Sequence, residues 1–153
     1  MHLTYEPYHW LLPNPFVIPW TIAKGHIDHY NHANNVAYVS QLEQTSWAHS
    51  NALGLSIEQY QALDRGMAIS RHEIDYQAAA LLGDTLLCAT WITTCDKRLK
   101  LTRQFQFIRQ SDGLSMLKAR TDFVCIALSS GRPKRMPNIF ASTYGQAISS
   151  KTT

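Results

Sequence analysis

The densest run of reactive side chains lies between His26 and Asn35, where one carboxylate, Asp28, stands among His26, His29, His32, Asn31, Asn34 and Asn35. A helical pattern starts directly after it. A carboxylate just ahead of a helix sits beside unpaired backbone N–H groups and the positive end of the helix dipole. Such a pair can attack a carbonyl, or activate water against it, while polarising the developing oxyanion. The residues alone leave a second role open for Asp28, that of a turn carboxylate bonding nearby N–H groups. The three histidines recur every third residue, which on an extended loop does not bring them to one point. No carboxylate or cysteine is spaced to complete a shell, so no metal site is expected.

The elements around this loop follow from periodicity. Phe16 to Ile27 is expected as a first strand, with Pro19 confining its early part to an edge or bulge. Asn34 to Leu53 is expected as the one long helix, capped by Asn34 or Asn35, stopped by Gly54, and facing inward with Val36, Val39, Leu42 and Trp47. Glu43 falls on that stripe, where a lone carboxylate is costly. It is therefore a second catalytic candidate, or else a structural group bonding His26, His29 or the loop backbone. Tyr38 and Trp47 read as core. A helical turn is expected over Ser56 to Leu63, and strands over Met67 to Gln77, Thr85 to Cys95, Leu99 to Arg109 and Ser115 to Leu128. Alternation is cleanest in the strand from Leu99, where Leu99, Leu101, Arg103, Phe105 and Phe107 share one face. Asp96-Lys97-Arg98 and Ser111-Asp112-Gly113 suit hairpins, so the last three strands form an antiparallel meander. The plan is α+β, with a curled sheet able to wrap the helix.

At 153 residues, 45% hydrophobic and 16% charged, the chain is expected to be a single domain over 1–153 with a core at about 16–137 and a tail, 142–153, free to fray. Cys88, Cys95 and Cys125 lie scattered in apolar stretches, as buried reduced thiols do, with no histidine in register to make a nucleophile. No apolar run is long enough to span a membrane, and Glu6 and Pro7 make a poor signal peptide, so a cytoplasmic protein is expected. Ten of the fourteen basic residues fall between Lys97 and Arg135 against two acids, Asp112 and Asp122, a net +8. That segment suits a phosphorylated small molecule, a nucleic acid or an acidic carrier, or is simply a set of solvated strand faces.

The run from Asp28 to Asn35, with Tyr38 and Glu43 at their spacing, resembles the D-x-x-G-H-V-N-N-x-x-Y-x-x-x-x-E signature of the 4-hydroxybenzoyl-CoA thioesterase family of hotdog-fold acyl-CoA thioesterases. The likeness runs from about Phe16 to Pro137 and includes Ile74-Asp75-Tyr76, Gly83-Asp84-Thr85-Leu86 and Ser130-Gly131-Arg132-Pro133. Two positions depart from it: His26 stands where many members have an Asp, and Asn31 where they have Gly. The resemblance implies a hotdog fold, one long central helix wrapped by a curled antiparallel sheet. It implies hydrolysis of an acyl-CoA with Asp28 as nucleophile or general base, and the backbone N–H of Asn35 on the thioester carbonyl. It further implies that His32, Asn34 and Tyr38 contribute to substrate binding and that Lys97 and Arg98, assisted by Arg132, Lys134 and Arg135, hold the phosphates of coenzyme A. No cofactor is implied beyond coenzyme A as part of the substrate. A homo-oligomer, a dimer or dimer of dimers, is implied, with Asp75 to Gln77 lining a neighbour's site.

Two other readings compete with hydrolysis of acyl-CoA. An acyl-carrier-protein thioesterase would use the basic face to dock an acidic partner. A noncatalytic module would bind acyl-CoA or RNA there, but the basic strands lack the interleaved exposed aromatics of a nucleic-acid surface, and no nucleic acid is expected.

Overall fold

A computed structural model describes residues 8–149. Glu6 and Pro7, and the end of the tail from Ser150, lie outside the described residues. The elements are β1 (Phe16–Thr21), a 3-10 turn at Lys24–His26, α1 (Asn35–Ala52), α2 (Ile57–Ala62), β2 (Arg65–Tyr76), β3 (Thr85–Cys95), β4 (Lys100–Arg109), β5 (Ser115–Ala127) and α3 (Asn138–Gln146). The strands form one antiparallel sheet in the order β1-β3-β4-β5-β2. This is the expected α+β hotdog arrangement, and β3-β4-β5 is the expected meander. Pro19 lies in an edge strand, where its missing N–H costs no ladder bond.

The hairpins carry the chemistry that their sequence suggested. Asp96 Oδ1 accepts from the N–H groups of Arg98, Leu99 and Lys100, and Lys97 takes a positive φ of 61° in that turn. Gly113, at φ 74°, supplies the left-handed residue of the next. In β4, Leu101, Arg103, Phe105 and Phe107 are all buried on one face, as alternation required.

Three expectations need correction. The first strand stops at Thr21, and the chain up to Ile27 coils through the 3-10 turn. The inward face of α1 is Tyr38, Gln41, Leu42, Thr45 and His49, while Val36 is 77% exposed and Glu43 is exposed rather than buried. Hydropathy misleads here because α1 turns a polar face to the sheet and satisfies it by hydrogen bonds. The packed region also exceeds 16–137. Trp10, Leu11 and Leu12 pack with Val17, Ala89 and Trp91 on the outer face of the sheet, and Leu11 N–H donates to Gln106 Oε1. At the other end, Ser142 to Gln146 lie in α3, not in a frayed tail, with Phe140 and Tyr144 buried against Leu55, Tyr60, Ile92 and Leu101. The aromatic pair is spaced four apart and so falls on one helical face. No helix among the described residues is long and apolar enough to cross a membrane.

Because Phe140 is fully buried, Phe140→Ala is expected to destabilise the fold by ~3–5 kcal/mol in urea unfolding, where a frayed segment would cost nothing.

Candidate active site at the head and inner face of the long helix

The loop carrying Asp28 is held from several sides. Asp28 N–H donates to His32 O, Asn34 N–H to His26 O, and Ala33 N–H to Ala80 O. Asp28 Oδ1 accepts from Tyr30 N–H at 2.8 Å and His32 N–H at 3.2 Å, which is the turn role foreseen for it. Its Oδ2 receives no hydrogen bond among the described residues. Asn31 adopts φ 61° inside this turn. Asparagine tolerates the left-handed region better than other residues bearing a Cβ, so it replaces the glycine of the signature without losing the turn. His26 Nδ1 accepts from Ala23 N–H, and its ring meets Trp20 edge-on, so this histidine is spent on loop packing. His29 and His32 are exposed.

Asn34 is the N-cap of α1, accepting from Ala37 N–H at 2.8 Å. The N–H groups of the first turn, Asn35 included, have no intrahelical acceptor by the geometry of a helix start. Asn35 Oδ1 accepts from the Tyr76 hydroxyl at the end of β2, which ties the edge strand to the head of the helix. Tyr38 is buried, its ring edge-on to Tyr76, and its hydroxyl accepts from Ala80 N–H. Burial pushes that phenol upward. Asp75, Tyr76 and Gln77 are exposed on the outer edge of the sheet.

Between α1 and the concave sheet lies a cavity of about 170 Å³, lined among others by Val39, Glu43, Trp47, Met67, His72, Arg103 and Phe123. Its lining begins one turn beyond Asn35, so Asp28 and Asn35 stand at the head of the helix and Glu43 on the cavity wall. Arg103 is 2% exposed and donates from Nη1 to His49 Nδ1 at 2.7 Å and from Nη2 to Ser50 Oγ at 3.1 Å. Ser50 bonds the Tyr144 hydroxyl, which bonds that of Tyr60. Burial first, and the guanidinium second, push His49 down to about 3. Its ring is therefore neutral, accepts at Nδ1, and stacks on Phe16 with centroids 4.8 Å apart. Burial also lowers His72, whose Nδ1 lies 2.8 Å from Thr121 Oγ1.

The basic residues gather elsewhere. Met136 N–H donates to Arg98 O and Lys134 N–H to Cys125 O, so Arg98, Arg132 and Lys134 form one exposed edge beside Lys97. The Asp28 loop touches Leu81, before β3 starts, whereas Lys97 and Arg98 follow its end. Eleven extended residues separate the two, about 35 Å along the strand. One chain does not bring them together. All three cysteines are free, and burial raises Cys88 and Cys125 away from thiolate chemistry. Arg103 and His49 did not figure among the candidate site residues. The signal was present for Arg103, which alternation put among Leu101, Phe105 and Phe107 on the inner face.

The five-stranded sheet with its inner helix is shared with solved structures. A protein from Staphylococcus aureus solved in complex with CoA has a TM-score of 0.81 at 18% identity, covering 95% of this chain and 92% of that one. A 1,4-dihydroxy-2-naphthoyl-CoA thioesterase from Synechocystis has a TM-score of 0.77 at 17% identity, covering 86% and 96%. A DHNA-CoA thioesterase from Staphylococcus aureus has a TM-score of 0.80 at 13% identity, covering 86% and 89%. At these identities the likeness defines a hotdog-like fold. Comparison with curated proteins gives no match. The model of the thioesterase-like superfamily matches residues 22–143, most of the chain, and the protein belongs to that superfamily.

The His49–Arg103 pair makes a pH dependence. Below pH ~6.5 the unfolded chain takes up a proton on His49 that the folded chain refuses, so stability falls as pH drops toward about 3. The loss from this group is ~1.4 kcal/mol per pH unit. The full slope is reached only below pH ~5.5, so urea titrations between pH 7 and 5 are expected to show a loss of ~2 kcal/mol in the native protein that is absent in His49→Gln.

Proposed function

We propose that the protein hydrolyses an acyl-CoA thioester to a carboxylate and free coenzyme A, in the manner of the 4-hydroxybenzoyl-CoA thioesterase family its loop resembles. The observation that carries this reading is the head of α1. Two backbone N–H groups orient Asp28 through Oδ1, leaving Oδ2 for chemistry, ahead of a helix whose cap takes the Ala37 N–H and leaves that of Asn35 without a helical acceptor. Asp28 either attacks the thioester carbon, expelling the thiolate and leaving an anhydride for water to open, or takes the proton of an attacking water. The backbone N–H of Asn35 stabilises the oxyanion in both cases. Asn34 caps the helix that presents this N–H, and His32 and Tyr38 shape the ground beside it. Glu43 is the second candidate for the carboxylate role, because it lies on the wall of the cavity suited to the acyl group. No cofactor enters the reaction.

The edge strand β2 pairs with β5 along one side, is open along the other and leaves Ile69 and Tyr76 half exposed, which supports a homo-oligomer formed by pairing two copies there. In such a pair the basic edge and Asp28 would serve one site from different copies. Lys97, Arg98, Arg132 and Lys134 would bind the phosphates of a coenzyme A whose thioester lies in the other copy's site. Three free thiols support a reducing, cytoplasmic setting. An acyl-carrier-protein donor is the runner-up, favoured by the same basic edge. Its docking would weaken far more steeply with salt than turnover of acyl-CoA.

Thiol release from a panel of aromatic, short and long acyl-CoAs tests the reading. Asp28→Asn is expected to lower kcat by ~100-fold or more, while Glu43→Gln stays within ~10-fold of the native protein. The reverse pattern moves the carboxylate to the helix. Binding without turnover across the panel would replace the enzyme with a binding module.

A further inference from the structure

Arg103 is the one charge inside the cavity that the chemistry above does not use. Its hydrogen bonds go to neutral groups, His49 and Ser50, and the guanidinium carbon lies 6.0 Å from the centroid of the Tyr144 ring. Among the described residues it forms no ion pair with a carboxylate. The other polar side chains nearest to it, Tyr60 and Tyr144, bond each other and Ser50. Glu43 lines the same cavity but is exposed at its mouth. No buried side-chain nitrogen or oxygen among the described residues lacks a partner. Each buried nitrogen and oxygen thus has at least one partner, and what Arg103 lacks is a counter-charge.

A guanidinium stays protonated even when buried, and a buried cation with no counter-charge is costly unless something supplies one. Only two of its five N–H donors are taken by His49 and Ser50. The remaining donors lie in a planar fork that suits a carboxylate, and Arg103 is part of the cavity lining. At about 170 Å³ the cavity exceeds the roughly 150 Å³ that accommodates benzene, so it has room for a short acyl segment and its terminal group. Leu42, Leu101, Phe105 and Phe123 supply apolar walls for the methylenes.

We propose that Arg103 is a specificity residue at the inner end of the acyl cavity, selecting acyl groups whose far end carries a carboxylate, that is, monothioesters of dicarboxylic acids. A carboxylate supplies the missing charge, whereas a methyl terminus leaves the guanidinium dry and unpaired. The substrate part of this inference rests on the thioesterase reading; the anion site does not. The length of the preferred acid depends on which carboxylate acts. Ser50 lies seven residues along the helix from Glu43, ~10 Å, but fifteen from Asn35, ~22 Å. A short optimum thus goes with Glu43 and a long one with Asp28 and Asn35.

The test compares adipyl-CoA with hexanoyl-CoA, suberyl-CoA with octanoyl-CoA and, for the longer span from Asn35, hexadecanedioyl-CoA with palmitoyl-CoA, in thiol-release assays on the native protein, Arg103→Met and Arg103→Lys. The native protein is expected to favour the carboxylate member of at least one pair by ~100-fold or more in kcat/KM. Arg103→Met is expected to abolish or reverse that preference, and Arg103→Lys to keep part of it. A native preference for the plain acyl chains, for neutral aromatic acyl groups, or one that survives in Arg103→Met, overturns the proposal. A second measurement needs neither turnover nor a variant: free adipate or suberate is expected to raise the melting temperature of the native protein, and hexanoate or octanoate is not. Stabilisation by the diacids without turnover of any thioester would keep the anion site and sink the hydrolase. Turnover of plain acyl-CoAs without any effect of the diacids would do the opposite.

Discussion

The architecture depends on one buried cation. Arg103 stands in the middle of β4 and reaches His49 and Ser50 near the end of α1, and through Ser50 it meets Tyr144 of α3 and Tyr60 of α2. Every helix of the fold is thereby bonded to the inner face of the sheet through one connected set of groups. Apolar packing alone would not orient α1, because its inward face carries Gln41, Thr45, His49 and Ser50 as well as Leu42. Directional bonds fix its rotation instead, and the rotation decides which residues meet the cavity. Turning α1 to bury Val36 and Glu43, as hydropathy suggests, would withdraw His49 from Arg103 and leave two polar groups unpartnered.

That dependence explains which parts of the structure were legible in the sequence. The meander was legible because β4 obeys strict alternation and because Asp96 and Gly113 do what their residue types do best in turns. The helix was legible in extent, since Asn34 is a strong N-cap and Gly54, at φ 90°, ends it. Its facing was not, because periodicity of apolar residues reports burial only where burial is apolar. The third helix was missed for a different reason. A nine-residue segment of small and polar residues has little propensity of its own, and only Phe140 and Tyr144 anchor it. Pro137 ahead of the helix and the four-residue spacing of the two aromatics were the available signals.

Of the candidate site, the head of α1 was the most legible part. Asp28 and Asn34 occupy the turn and cap positions that their types favour, and Asn31 takes the left-handed conformation that the signature assigns to glycine. The same geometry limits what the loop can be: with Asp28 Oδ1 spent on the backbone, the carboxylate is oriented before any substrate arrives. Preorganisation of that kind is what separates a reactive carboxylate from one that must be ordered during each turnover. The basic residues were legible as a cluster but not in position, because their distance from Asp28 is a property of strand topology. An antiparallel sheet sends the β3–β4 hairpin to the far end from the loop that precedes β3.

The edge of the sheet and the buried cation bear on each other. Met67, Ile69 and His72 of β2 line the cavity, and β2 is also one of the two edge strands, with an open side. In a single copy, Ile69 at this edge is half exposed, so that wall of the cavity borders solvent. The proposed pairing of two copies along β2 would cover that wall and strengthen every electrostatic interaction inside. The cost of an unpaired guanidinium rises in the same step, and so does the advantage of an anion that neutralises it. Oligomer formation and selectivity for an acidic acyl group would then be coupled through the dielectric around one residue: a drier cavity discriminates more sharply between a carboxylate and a methyl terminus.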